Sequence, residues 1–255
     1  MILDINGVAC RYEQYGQGRD VLLLHGWGGS VDNWIPVTNF LKDKCRVTVI
    51  DFPGHGQSGE PDESGWAVDE YFDFTAAFIE KMGIAGCDII AHSFGGRVTL
   101  QLAAKRPELV GKLLLTGAAG LKPRRSAKYY VKTYTFKFLK KMTYILPGGA
   151  KLREKLSGRF GSADYKALKP SMRATFVKVV NQDLAWCLDK ITAETLLVWG
   201  RNDTATPVWM GQEMEKHIKG SALIVLEDAG HFAYLDKCDQ FLRIAEAFLF
   251  PKENA

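Results

Sequence analysis

Ile90-Ala91-His92-Ser93-Phe94-Gly95-Gly96 joins an apolar, strand-like stretch to a helix-like one, with a serine at the junction. The pattern is G-x-S-x-G with Ala91 in place of the first glycine. A strand that passes directly into a helix needs a sharp turn. Such a turn lifts the serine hydroxyl clear of the backbone, where a base can take its proton. Positions two before and two after the serine must be small, because strand and helix approach too closely there for larger side chains. Ala91 and Gly95 meet that need. Taken alone the pattern is weak, since many serines followed by glycine simply cap a helix. Its meaning depends on its surroundings.

Those surroundings repeat. Val21-Leu22-Leu23-Leu24, Val47-Thr48-Val49-Ile50, Asp88-Ile89-Ile90, Leu113-Leu114-Leu115, Leu196-Leu197-Val198-Trp199 and Leu223-Ile224-Val225-Leu226 are short, continuous apolar runs. Length and continuity match parallel strands buried on both faces. Helix-period segments lie between most of them, among them 71–81, 97–105 and 208–216. The alternation predicts an α/β fold, a mostly parallel central sheet flanked by helices. Asn6-Gly7, between Ile2-Leu3-Asp4-Ile5 and Val8-Ala9-Cys10-Arg11-Tyr12, predicts a two-residue hairpin, so the sheet is expected to be mixed. From 121 to 191 no convincing strand occurs, only helix-like pieces broken by Pro147-Gly148-Gly149, Gly158, Gly161 and Pro170. The expected organisation is a core of residues 1–120 and 192–255 with an inserted helical cap at 121–191. No internal repeat or low-complexity tract is present.

In sheets of this kind, functional groups collect in loops beyond the carboxyl ends of the strands. Asp203 follows the run ending in Trp199-Gly200, and His231 follows the run ending at Leu226. A serine hydroxyl is a poor nucleophile at neutral pH, so a neutral imidazole must accept its proton, with a carboxylate fixing the tautomer. Ser93, Asp203 and His231 are the candidate nucleophile, acid and base, in that chain order. His25-Gly26-Trp27-Gly28-Gly29 directly follows the strand at 21–24. Its glycines let backbone N–H groups turn inward, and the Trp27 and Phe94 amides are the candidate donors of an oxyanion hole. Each part has a bland counterpart: an Asx turn at Asp203, a loop histidine at 231, a tight turn at 25–26. All of them falling after the correct strands in the correct order is far less probable by accident.

With these residues in hand, the chain resembles the α/β-hydrolase fold family over nearly its whole length outside the cap. The resemblance rests on His25-Gly26-Trp27-Gly28-Gly29, Asp51-Phe52-Pro53-Gly54-His55-Gly56-Gln57-Ser58, His92-Ser93-Phe94-Gly95-Gly96, Trp199-Gly200-Arg201-Asn202-Asp203 and Gly230-His231. It implies Ser93 as nucleophile, Asp203 as acid, His231 as base, and the Trp27 and Phe94 amides as oxyanion donors. A serine nucleophile sets the chain apart from the haloalkane dehalogenases and epoxide hydrolases of similar fold, which attack through Asp.

Other signals carry less. Gly54-His55-Gly56-Gln57-Ser58-Gly59 matches a dinucleotide fingerprint, but acidic, proline-broken residues follow it instead of an apolar helix. His55 and His92 are read as structural. Arg97, one helical turn past Ser93, is read as a packing or ion-pair residue. Asp228 is a second candidate acid, only three residues before His231. No spacing suggests a metal site, and no cofactor is expected.

The composition, 47% apolar and 24% charged over 255 residues, is that of a soluble globular protein with one sizeable core. No run approaches the roughly 20 apolar residues of a spanning helix, so stable membrane insertion is not expected. Neither is secretion, from an N-terminus without a basic, apolar leader. Five scattered cysteines (Cys10, Cys45, Cys87, Cys187, Cys238) suit buried free thiols in the cytoplasm. A net charge of +4 is too small to imply nucleic acid. It is unevenly spread, however, since residues 121–170 hold 14 Lys or Arg against 2 Asp or Glu.

Tyr130, Tyr134 and Phe138 recur at helical spacing within that basic stretch. With His25 and Phe232 they are the candidate substrate contacts. A small-molecule substrate is the expected partner. The leading expectation is hydrolysis of carboxylic esters with small to medium apolar acyl groups, through an acyl-enzyme. The alternative is lyase or carbon–carbon hydrolase chemistry on an anionic substrate held by the basic cap. Ser93-Phe94-Gly95-Gly96-Arg97 and the loop at 51–58 also resemble the menaquinone-pathway lyases. A ligand-binding receptor is a third reading.

Overall fold

The computed structural model describes residues 1–62, 64–122, 135, 141, 143 and 168–251. Every one of the six apolar runs lies in a strand. The strands are β1 (Ile2–Ile5), β2 (Val8–Tyr15), β3 (Asp20–Leu24), β4 (Arg46–Ile50), β5 (Cys87–His92), β6 (Val110–Thr116), β7 (Thr195–Gly200) and β8 (Ala222–Leu226). They form one eight-stranded sheet in the order β1-β2-β4-β3-β5-β6-β7-β8. Strands β3 to β8 run parallel, while β2 pairs antiparallel with both β1 and β4. The fold is thus an α/β fold with a mixed, mostly parallel sheet. In the hairpin, Asn6 (φ 52°) and Gly7 (φ 84°) both have positive φ. A two-residue turn with the right twist needs that conformation.

The strands are continuous apolar runs because both faces of the sheet are covered. Along β3, Leu22 and Leu24 enter one core cluster while Val21 and Leu23 enter the other. The first cluster includes α2 (Val68–Met82), α3 (Phe94–Lys105) and α6 (Val208–His217). The second includes α1 (Ile35–Leu41) and α8 (Cys238–Leu249). The helix α8 was legible in principle, since its buried Phe241, Ala245 and Leu249 repeat every four residues. Between β6 and β7, the described residues include α4 (Pro170–Asn181) and α5 (Ala185–Leu188), and no strand. A further short helix, α7 (Ala233–Asp236), follows β8. Among the described residues no helix is long and apolar enough to cross a membrane.

The pairing aligns the strand ends. Leu24 is level with Ile50 and Ala91, His92 with Thr116, Thr116 with Val198, and Gly200 with Leu226. β3 has β4 on one side and β5 on the other, so the chain reverses its winding there. Crevices for ligands open at such reversals, beyond the carboxyl ends of the strands.

Candidate active site

Ser93 occupies a turn that few non-glycine residues adopt, at φ 48° and ψ −105°. Such a conformation costs about 1–3 kcal/mol and persists only where neighbours hold it. They do so here through the backbone. Ser93 N–H donates to Thr116 O (3.2 Å), and Ser93 O accepts from Ala119 N (2.9 Å). The required smallness is steric. A Cβ on Gly95 would stand 2.4 Å from Leu24 O, and one on Gly96 would stand 2.5 Å from the Ala118 Cβ.

Ser93, His231 and Asp203, distant in sequence, meet in this turn. Ser93 Oγ lies 2.9 Å from His231 Nε2, and His231 Nδ1 lies 2.8 Å from Asp203 Oδ2. The two loops that bring base and acid together are fastened to each other. Asn202 N–H donates to Ala229 O (2.8 Å), and a Cβ on Gly200 would lie 2.1 Å from Gly230 O. Gly117 (φ 51°) leaves the room beneath them, for its Cβ would stand 3.2 Å from Asp203 Oδ2.

Asp203 is buried and saturated with donors. Its Oδ1 accepts from Ala205 N (2.9 Å) and Thr206 N (2.8 Å), and Thr206 Oγ1 lies 2.8 Å from Oδ2. Burial pushes its carboxyl up, but the hydrogen bond and charge of His231 and the bonds from Thr206 outweigh it. The group is held below the ordinary carboxylate range. An anion is therefore fixed against the imidazole edge. Thr206 was not singled out from the sequence. The signal was its place three residues after the acid, within reach of the same carboxylate. Asp228, the other candidate acid, points to solvent, with its carboxylate 3.7 Å from Lys237 Nζ.

The loop after β3 faces the serine. Phe94 is the first residue of α3, where an amide lacks an intrahelical acceptor. Trp27 N–H donates to no carbonyl among the described residues. The Trp27 ring stands edge-on to Phe94 (5.3 Å), His55 (4.8 Å) and Phe176 (5.3 Å).

His25 departs from its expected role as a substrate contact. It is fully buried behind this loop, with Nδ1 2.7 Å from Gly26 O and Nε2 accepting from Phe52 N at 3.0 Å. Both ring nitrogens are occupied, and burial pulls its pKa down to about 4. It is a neutral strut that joins the loop after β3 to the loop after β4. That second loop is pinned by the buried Asp51, which accepts from Val31 N (2.7 Å), Gln57 N (2.8 Å) and Arg11 Nη1 (3.3 Å). Among the described residues the glycine-rich stretch at 54–59 is followed by no helix before Val68, unlike the glycine loop of a dinucleotide fingerprint, which opens directly into one. His92 is buried as well, with Nδ1 3.0 Å from Thr116 O and its ring 4.7 Å from that of His231.

A cavity of about 460 Å³ opens over the serine. Its polar wall includes Ser93, His231, Thr206 and Asn33, and its apolar wall includes Leu121, Phe176, Val179, Val180, Met210 and Phe232. Phe232 is 45% exposed at its rim. Tyr130, Tyr134 and Phe138 lie outside the described residues. Arg97 is on the wall too; of the two roles expected for it, packing or ion pairing, it is buried against the end of α4 and forms no ion pair among the described residues. Among the described residues no cluster of ligating side chains could hold a metal ion.

Comparison with known proteins gives the family. The model of the alpha/beta hydrolase family matches residues 21–244. The dihydrolipoyllysine-residue acetyltransferase component of the acetoin cleaving system of Cupriavidus necator is 30% identical over 93% of this chain, which spans 66% of that protein. The 2-hydroxy-6-oxo-6-phenylhexa-2,4-dienoate hydrolase of Comamonas testosteroni is 27% identical, over 96% of this chain and 93% of its own. A pimeloyl-acyl-carrier-protein methyl ester esterase of Neisseria meningitidis is 28% identical, over 91% of this chain and 93% of its own.

Proposed function

The chain belongs to the alpha/beta hydrolase family, and from that premise we propose that it hydrolyses carboxylic esters of small to medium apolar acyl groups through an acyl-enzyme on Ser93. The observation that carries the proposal is the pair of hydrogen bonds running from Ser93 Oγ through His231 to Asp203, at 2.9 and 2.8 Å. As Ser93 Oγ attacks the ester carbonyl, His231 Nε2 takes the hydroxyl proton, and Asp203 stabilises the imidazolium without being protonated. The carbonyl oxygen becomes an oxyanion facing the Trp27 and Phe94 amides, each worth about 10²–10³ in kcat. Collapse breaks the ester C–O bond, and the alcohol leaves with the proton from His231. Water then attacks the acyl-enzyme by the same route and frees the acid. Leu121, Phe176, Val179, Val180 and Met210 give the acyl group an apolar wall, and we assign residues 121–191 to a cap over it. No cofactor enters these steps. Five unpaired cysteines, of which burial raises Cys10, Cys87 and Cys187 to about 12, suit a reducing cytoplasm.

The test is labelling with a fluorophosphonate. We expect one adduct on Ser93, and Ser93→Ala to lose both the adduct and roughly 10⁴-fold or more of ester turnover. A folded protein that takes no label on Ser93 would sink the proposal. A second reading, carbon–carbon hydrolysis, is favoured by the dienoate hydrolase relative. Turnover of such a dienoate, with p-nitrophenyl esters left intact, would put it first.

A further inference from the structure

Arg97 is the one permanently charged side chain on the cavity wall among the described residues. It is 6% exposed, and that remaining surface belongs to a residue of the same wall as Ser93. Its Nη1 donates to Gln182 O at 2.6 Å, at the end of α4. Among the described residues it holds no carboxylate. Asp183, the acid whose charge it feels, is engaged elsewhere, accepting from Ala185 N (3.2 Å) with its other oxygen 3.9 Å from Lys122 Nζ. Burial pulls the guanidinium down to about 10, which leaves it cationic at neutral pH.

The Gln182 carbonyl, the negative end of the α4 dipole and the charge of Asp183 offset part of the cost of burying this guanidinium, and a carboxylate in direct contact is its natural complement. A guanidinium has five donors, and its planar edge matches a carboxylate in two parallel hydrogen bonds. The position is selective as well. Arg97 follows Ser93 by one helical turn, about 6 Å along the axis. It meets the chain where the loop after β6 joins the end of α4, through Leu184 N to Gly120 O at 2.9 Å. An acyl chain running from Ser93 along Val179 and Val180 would bring its far end to this corner.

We infer that Arg97 is a specificity-determining residue that binds a carboxylate at the distal end of the acyl group, so that half-esters of dicarboxylic acids are preferred to esters of the wholly apolar acyl groups named above. The inference rests on the ester-hydrolase reading above for the placement of the acyl chain. The competing role is a purely structural one, in which Arg97 only ties α3 to the end of α4.

A matched pair of substrates separates the two. Mono-p-nitrophenyl adipate and p-nitrophenyl hexanoate carry acyl chains of the same length, with and without the carboxylate. We expect the wild-type protein to favour the adipate in kcat/KM by at least about tenfold, the range of a hydrogen bond to a charged group. Arg97→Met should abolish that ratio and Arg97→Lys should reduce it. A structural tie would lower both rates together and leave the ratio unchanged, which would overturn the inference. So would a wild-type preference for hexanoate.

Calorimetry with Ser93→Ala gives a readout that needs no turnover. Monomethyl adipate should bind more tightly than methyl hexanoate, and Arg97→Met in that background should erase the difference. If wild type cleaves neither ester, the hydrolase reading fails, while the binding comparison still decides the carboxylate site. Circular dichroism checks folding, and should Arg97→Met unfold, Arg97→Lys decides.

Discussion

Two buried aspartates follow strands at the same edge of the sheet, Asp51 after β4 and Asp203 after β7. Both have backbone amides as partners, and both organise the loop they begin. Asp51 gives its oxygens to Val31 N, Gln57 N and Arg11 Nη1, all groups that only hold the chain in place. Asp203 takes two amides on Oδ1 and turns Oδ2 to His231 and Thr206. The histidines follow the same division. His25, beside the Asp51 loop, has both nitrogens occupied by backbone, whereas His231 spans from Asp203 to Ser93. The same residue types at the same sheet edge thus build a support on one side and a proton relay on the other. What differs is the partner on the last lone pair, not burial.

The sharpest way to break this comparison is Asp203→Asn. The amide can still accept from Ala205 and Thr206, so the fold should survive with little change in Tm. It would present the wrong partner to His231 and release the tautomer that serves as base. Loss of kcat on an ester should reach about 10⁴-fold. A loss of less than about tenfold would show that Asp203 is as structural as Asp51.

The converse substitution, Asp51→Asn, should move stability more than chemistry. One amide N–H₂ would then face Val31 N–H, or Gln57 N–H and the Arg11 guanidinium, a clash of buried donors. We expect about 2–4 kcal/mol of lost stability in urea unfolding, with kcat of the folded protein within about tenfold of wild type. A fall in kcat rivalling that of Asp203→Asn, at unchanged stability, would erase the distinction between the two loops.

This distinction also marks how far the sequence could be read. The strands were legible because β3 to β7 are apolar on both faces, and the hairpin because Asn6-Gly7 suits positive φ. The trio Ser93, Asp203 and His231 could be nominated because each follows a strand end, and loops after parallel strands share one edge. His25 could not be read correctly, because a histidine in a glycine-rich loop looks the same whether it faces a cavity or a carbonyl. Arg97 could be read only as far as a packing or ion-pair residue, because which of the two it is depends on tertiary packing: it is buried against the end of α4, with no ion pair among the described residues. Thr206 went unnoticed because its hydroxyl gains meaning only from the turn that carries it back to Asp203.

The smallest effect on activity, and the finest test of the supporting side, lies in acid. His25, His55 and His92 are buried, and burial lowers their pKa values to about 4, about 3 and about 3. In the unfolded chain a histidine titrates near 6.5. Between that value and the folded pKa the unfolded state binds more protons. The stability these neutral rings contribute is therefore complete above about pH 6.5 and is lost as the pH falls toward 4. Each ring adds a slope of up to about 1.4 kcal/mol per pH unit within that window. The urea midpoint should fall steadily from pH 7 to pH 5, and His25→Asn, though less stable at pH 7, should show a shallower decline. Equal slopes in the two proteins would mean that the ring at 25 is protonated in the folded state. It would then not be the neutral strut that accepts from Phe52 N, and the loop carrying Trp27 would need another support.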